Sequence, residues 1–226
     1  MSVNIITDAI LMKRSITTIL LSTSILILFI ATLSSCTKDR YNTTPTQPVG
    51  YQNIFDDNFD YDANNWSFAD HNNSAFVDVN GGVLNYTYTP SADGTNTVAV
   101  NTGLNTAYDF LIQTSIASDN AMGLAFGVSN YDYGYSFFID DQGYYAVYKE
   151  GNSNTPVTTL VDWTYNAAIK TGWNNIELEQ VNGYWVGYAN GSQIFQIPAQ
   201  SFGGSKVGFI VLDGTHGQAD YLTVQW

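Results

Sequence analysis

One cysteine, two histidines, five prolines and seven lysines and arginines are all that 226 residues contain of these types. A lone cysteine closes no intramolecular disulfide, so the usual staple of exported proteins is ruled out. His71 and His216 lie in loop-like stretches, and neither has a second His or Cys at ligand spacing, which argues against a zinc site. Seven basic against twenty acidic residues give a net charge of −13. Such a field repels nucleic acid and anionic lipid headgroups and argues against both as partners. There is no Gly-x-Ser-x-Gly nucleophile elbow and no phosphate-cradling glycine loop. No repeat of fixed period occurs. No window has a convincing helical period; the best candidate, Trp163–Ile169, is short and rich in Thr, Tyr and Asn.

The one cysteine has a telling position. Cys36 closes Leu33-Ser34-Ser35-Cys36, after an uncharged stretch from Ile16 to Leu33 that follows Lys13-Arg14. The dense apolar run, Ile25-Leu26-Ile27-Leu28-Phe29-Ile30-Ala31, suits a signal-peptide core better than a spanning helix, which needs about 20 predominantly apolar residues. The arrangement resembles a bacterial lipoprotein signal with its lipobox, in which Cys36 receives the lipid, and Met12 is the start that design favours. An uncleaved anchor is the competing reading, and it predicts no lipid on Cys36. Residues 1–35 are then a signal peptide, and 36–51 a lipidated cysteine and a Thr/Pro-rich tether. Lys38-Asp39 faintly resembles a surface-export signal of Bacteroidetes lipoproteins. The expected location is the bacterial envelope, on the periplasmic or cell-surface face of the outer membrane.

Residues 52–226 read as one all-β domain, a two-sheet antiparallel jelly-roll sandwich. Short alternating runs are broken by turn residues: Ser74–Val79 and Val83–Thr89 flank Asn80-Gly81-Gly82. Tyr108–Ala117, Met122–Ser129, Gly134–Asp140 and Tyr144–Glu150 follow. In Trp173–Val181, Ile176, Leu178 and Gln180 point one way and Glu177 and Glu179 the other. Asn182-Gly183 leads into Tyr184–Ala189, and Asn190-Gly191 into Ser192–Ile197, the strongest hairpin signal in the chain. Lys206–Leu212 and Ala219–Gln225 close it.

The order of these elements resembles the concanavalin A-like lectin/glucanase superfamily, in particular its laminin-G-like and keto-disaccharide-hydrolase-like branches. The likeness runs through Asp57-Asn58-Phe59 with Trp66, Gly81-Gly82-Val83-Leu84, Gly123-Leu124-Ala125-Phe126-Gly127 and Tyr135-Ser136-Phe137-Phe138-Ile139. It continues in Trp173-Asn174-Asn175-Ile176-Glu177-Leu178, Tyr188-Ala189-Asn190-Gly191, Val207-Gly208-Phe209 and a last strand holding Asp220. These are folding motifs, so the resemblance implies a fold rather than an activity. The related glucanases carry Glu-x-Asp-x-x-Glu along one strand; Glu177-Leu178-Glu179 is followed by Gln180 and Val181, and no third acid arrives. Glu177 and Glu179 then read as a solvated outer face.

Two binding chemistries remain. Asp60-Tyr61-Asp62-Ala63-Asn64 spaces oxygen side chains at every second residue, as the first half of a calcium loop does, with Asp57 just before it. The twelfth position is His71 rather than a bidentate Glu, so an EF-hand is excluded, while an irregular calcium site using Asp57, Asp60, Asp62, Asn64 and Asp220 or Asp213 stays open beside ordinary Asx-turn chemistry. Sugar binding needs aromatic faces beside polar groups. The aromatics expected at strand ends or in loops are Tyr131, Tyr133, Trp163 and Tyr165, with Asn130 and Asp132 as polar partners. The expectation is a lipid-anchored, non-catalytic glycan-binding domain, with calcium as a candidate cofactor. The alternatives are a glycoside hydrolase or lyase using carboxylates such as Asp140, Glu177 and Glu179, and a protein-binding adhesion or structural module.

Overall fold

The computed structural model describes residues 50–90, 94–105, 107–130, 133–151 and 155–226. Cys36, the tether and the apolar segment before it lie outside these residues, as do Tyr131 and Asp132. The described chain folds as β1 (Asn53–Asp57), β2 (Phe68–Ala69), β3 (Ala75–Asn80), β4 (Val83–Tyr88) and β5 (Thr95–Asn101). There follow β6 (Phe110–Ser118), β7 (Ala121–Val128), β8 (Tyr135–Asp140), β9 (Tyr144–Lys149) and β10 (Thr158–Tyr165). The last five are β11 (Asn174–Val181), β12 (Tyr184–Ala189), β13 (Ser192–Pro198), β14 (Lys206–Leu212) and β15 (Thr215–Gln225). No helix occurs among the described residues.

Every pairing is antiparallel, and the strands make two sheets. The nine-stranded sheet runs β13-β12-β11-β6-β15-β4-β3-β2, with β1 also on β15. The six-stranded sheet runs β10-β9-β8-β7-β14-β5. One edge of β15 is shared: its first half pairs with β4 and its second half with β1. A bulge between Ala219 and Tyr221 marks the change along the other edge, where the Thr114 hydroxyl donates to the Tyr221 carbonyl. The architecture is the two-sheet antiparallel jelly roll that the strand pattern implied.

Between the sheets lies one large apolar core. Strand alternation supplies Ile176, Leu178, Phe110, Ile112 and Val224 from one sheet, and Leu124, Phe126, Phe137, Val147 and Phe209 from the other. Trp185 has no exposed surface; its ring meets Phe126 and Tyr135 edge-on at 5.0 and 4.7 Å, and its indole N–H donates to Gln180 Oε1 at 3.0 Å. That bond explains why a glutamine faces the core, since a buried polar group must find a partner. The hairpin signals hold for a local reason. Asn182, Gly183, Asn190 and Gly191 have φ of 52°, 79°, 51° and 78°, the left-handed pairs that a two-residue hairpin turn requires. Asn190 also donates to the Ala168 carbonyl at 2.8 Å and accepts from the Asn175 N–H at 3.0 Å, so it ties three segments together.

Four strands were not anticipated: β1, β2, β5 and β10. β10 is the clearest case. The residues read as the best helical candidate begin inside it, because two register shifts against β9 break the period-2 pattern that marks a strand. β15 starts four residues before the expected Ala219, since its early buried positions are Thr215 and Gly217 rather than apolar residues.

Candidate functional site

The outward face of the six-stranded sheet is built from two rows that cross the strands. Register places Ala146, Phe138, Gly123, Ile210 and Thr97 side by side on β9, β8, β7, β14 and β5. The next row is Tyr148, Ser136, Ala125, Gly208 and Ala99. Four of these five are small, so the row forms a trough beside the Phe138 and Ile210 side chains. Phe138, Ile210, Ala121, Ala125 and Val128 cluster here, separate from the inter-sheet core, with Trp163, Tyr148, Ala99 and Leu212 packed against them.

Three aromatic rings stand at one end of the trough. Phe138 lies 6.2 Å from Trp163 and 6.3 Å from Tyr148, centroid to centroid. Phe138 is buried, while Trp163 and Tyr148 are half-buried and keep surface toward solvent. Polar groups adjoin them. Ser136 donates its hydroxyl to Glu150 Oε1. Burial pushes the Glu150 carboxyl above the ordinary carboxylate range, against the lowering effect of that bond. Tyr148 is raised by burial first and then by the negative charges of Asp162 and Glu150, which puts both acids near its ring. At the Ala99 end, Phe68, Thr97, Val98, Ala99, Val128 and Lys206 line a hollow of about 250 Å³, smaller than the ~300–1,000 Å³ of a usual small-molecule pocket. The centre of this face, with Phe138, Ile210, Ser136 and Ala125, is buried, and surface remains at its aromatic end and at the shallow hollow. A sugar ring can lay its C–H patch on Trp163 or Tyr148 and direct hydroxyls to Glu150 and Asp162.

The sequence-derived sugar residues are not brought together. Trp163 joins this face, but inside β10 rather than in a loop. Tyr165, at the end of β10, packs edge-on against Tyr144 at 5.6 Å, beside the β8–β9 turn. Asn130 and Tyr133 lie at the other end of β8, where the Ser129 N–H donates to the Tyr133 carbonyl at 2.7 Å. At about 3.3 Å per residue, the six residues of β8 hold these groups roughly 20 Å apart. Tyr131 and Asp132 lie outside the described residues. Tyr148, Phe138, Ser136 and Glu150 are not among the sugar contacts expected from the sequence. The available signal was parity, because Ser136 and Phe138 alternate with the core residues Tyr135, Phe137 and Ile139.

The acidic loop after β1 shows a dense internal arrangement. Asp57 is buried; its Oδ1 accepts from the Phe59 N–H at 2.9 Å, and its Oδ2 from Asn64 Nδ2 at 2.6 Å and Trp66 Nε1 at 2.7 Å. Asp62 is exposed; desolvation raises its carboxyl, but the N–H groups of Trp66 and Ser67, which donate to it at 2.7 and 3.2 Å, lower it overall. Asp60 accepts from Asn58 Nδ2 at 2.7 Å. Asp220 lies on β15, three positions short of Thr223, the partner of Asp56. Asp213 lies in the turn before β15, where its N–H donates to the Gly94 carbonyl. Among the described residues no group of three or more His, Cys, Asp or Glu side chains is arranged to hold a metal ion.

The three carboxylates considered for hydrolysis fall on different sheets. Asp140, on β8, caps the β8–β9 turn by accepting from the Gln142 and Tyr144 N–H groups at 2.9 and 2.7 Å. Glu177 and Glu179 lie on the outward face of β11, as their alternation implied, with Gln113 donating to Glu177 Oε2 at 2.9 Å.

No family model matches the chain, and no curated protein matches it in sequence. Solved structures share the fold in outline. The carbohydrate-binding module CBM66 from Bacillus subtilis is 14% identical with a TM-score of 0.42, over 76% of this chain and 91% of that one. The CBM2 module of an evolved Dit from Lactobacillus casei BL23 phage J-1 is 12% identical with a TM-score of 0.49, over 78% and 96%. An endo-β-galactosidase from Clostridium perfringens is 12% identical with a TM-score of 0.48, over 80% and 63%. At these identities no residue role passes from them to this chain.

Proposed function

We propose that this chain is a glycan-binding jelly-roll domain, carried on the bacterial envelope by a lipid on Cys36, that takes sugar on the outward face of its six-stranded sheet. The observation that supports the reading is the pair of half-buried rings Trp163 and Tyr148, packed on the buried Phe138 beside Glu150 and Asp162. Aromatic surface next to acceptor carboxyls is what a sugar ring needs.

A glycan array probed with the full chain tests this, with calcium and with EDTA in parallel. Trp163→Ala and Tyr148→Ala are each expected to weaken the selected glycan at least about tenfold, or ~1.4 kcal/mol, while leaving the far-ultraviolet spectrum unchanged. Binding untouched by both substitutions would move the site elsewhere. Release of new reducing ends would replace the binding reading with hydrolysis, and equal binding with EDTA would remove calcium. Mass spectrometry of the mature N-terminus checks the anchor separately. A diacylated or triacylated Cys36 is expected, because two or more chains give durable attachment at about 0.8 kcal/mol per buried CH₂; an unmodified Cys36 would overturn it.

A further inference from the structure

The opposite outward face, that of the nine-stranded sheet, has a different chemistry. Register aligns Tyr188, Glu177, Gln113, Thr223 and Asp56 across β12, β11, β6, β15 and β1. The next row outward is Val186, Glu179, Leu111 and Gln225. At roughly 4.8 Å per strand, Glu177 and Thr223 stand about 10 Å apart with Gln113 between them. Tyr221 adjoins Ser115 one step further along.

This face is short of positive charge. Glu177, Glu179, Asp56 and the nearby Asp220 are acidic. The described lysines, Lys149, Lys170 and Lys206, all lie off the strands of this sheet, and its one histidine, His216, is paired to Asp119 at 2.9 Å at the start of β15. Gln113 donates to Glu177 and the Tyr51 hydroxyl to Glu179, at 2.9 and 3.3 Å. Two further groups have nothing to bond. Gln225 Oε1 and Thr223 Oγ1 are buried without a hydrogen-bond partner, and Gln225 is only 9% exposed. Gln225 follows the core residue Val224, so its side chain turns to the outward face, into the row of Glu179. A buried acceptor left unpaired costs about 1–3 kcal/mol, which a ligand bringing a donor there would recover. Burial, then Glu177 and Asp220, pushes the Tyr221 phenol up to about 12, and burial with Glu179 and Glu177 raises Tyr188, so both rings are neutral and stand among carboxylates.

A complementary ligand carries ammonium groups for Glu177 and Glu179 and hydroxyl donors for the neutral acceptors between and beside them. An amino sugar bears both on one rigid ring, whereas a lysine peptide offers ammonium and backbone N–H groups but no hydroxyl. We propose that the outward face of the nine-stranded sheet is a second ligand site, for an unacetylated amino-sugar chain, with Glu177 and Glu179 taking its ammonium groups and Gln225 and Thr223 its hydroxyls. This site is separate from the platform on the six-stranded sheet and does not depend on it.

The test is titration calorimetry of the full chain in detergent with three probes: a glucosamine tetramer, the N-acetylated tetramer of the same skeleton, and tetralysine. The glucosamine tetramer is expected to bind at least tenfold more tightly than either other probe. Glu177→Gln combined with Glu179→Gln should abolish that preference. Equal binding of the acetylated tetramer, equal binding of tetralysine, no binding of the glucosamine tetramer, or a preference that survives both substitutions would each overturn the proposal. Should the double variant fold poorly, Glu177→Gln and Glu179→Gln taken singly replace it, and each should reduce the preference. The same preference measured on Trp163→Ala should be unchanged, and its loss there would move the site to the other sheet, so failure of the glycan reading for that sheet leaves this result intact.

Discussion

Asp57→Ala is expected to lower stability by about 3 kcal/mol or more, because it strands three donors in or beside the core. The carboxylate takes the Phe59 N–H on one oxygen and the Asn64 amide and Trp66 indole on the other. Trp66 has no exposed surface and packs edge-on against Phe55 and Phe59 at 6.5 and 5.7 Å, so its N–H has no water to turn to. Phe59 compounds the loss. Its φ of 56° is unfavourable for a bulky residue, and the bond to Asp57 together with burial of its ring holds it there. Urea unfolding of the variant checks the size of the effect. The same experiment on the unaltered chain with EDTA separates hydrogen bonding from metal binding. If Asp57 acts through its three donors, chelation leaves the midpoint in place; a fall on chelation matching that of the variant would make it a calcium ligand instead.

Gly123→Ala should be comparably damaging, at about 3 kcal/mol or more, by overpacking rather than by loss of a bond. A Cβ on Gly123 would stand 2.1 Å from the Phe137 carbonyl oxygen and 2.7 Å from the Phe138 Cα, both backbone atoms of the adjacent strand. Neither can move without separating β7 from β8, and β8 carries Phe138 and Ser136 of the candidate platform. Gly208 is in the same position against Val98 and Ala99, at 2.1 and 2.7 Å. Gly203→Ala is the control: its nearest neighbour would be Ser129 Cβ at 3.6 Å, an ordinary contact, and its midpoint should stay within about 0.5 kcal/mol of the parent. Equal midpoints for Gly123→Ala and Gly203→Ala would refute the close strand approach.

These two residues show where sequence reasoning reached and where it stopped. Gly123 and Asp57 are both visible in the motifs that carry the family resemblance. What each contributes became clear only when its neighbours were in place: a backbone from fourteen residues on for one, and Trp66 for the other. β11 was the opposite case. Its alternation of Asn174, Ile176, Leu178 and Gln180 against Asn175, Glu177 and Glu179 gave both faces directly, because a period of two is a local property. β10 hid because its two register shifts destroy that period. The grouping of the aromatics was hidden for a related reason. Trp163, Tyr148 and Phe138 are far apart along the chain and meet through pairing of β8, β9 and β10.

By itself, the sequence determined what depends on neighbours along the chain. It settled the all-β class, the Asn-Gly hairpins, the inward set of each regular strand, an acidic surface and a single cysteine with no disulfide to make. Each follows from backbone preference, alternation or composition, and none needs a partner strand. The tertiary structure decided what depends on register. It put Tyr148 beside Ser136 in a row of small residues, and it placed Glu177, Gln113 and Thr223 in line across three strands. It also sent Asp140 to one sheet and the two glutamates to the other. A side chain's face is written in its own strand, but its companions on that face are chosen by which strands pair and where.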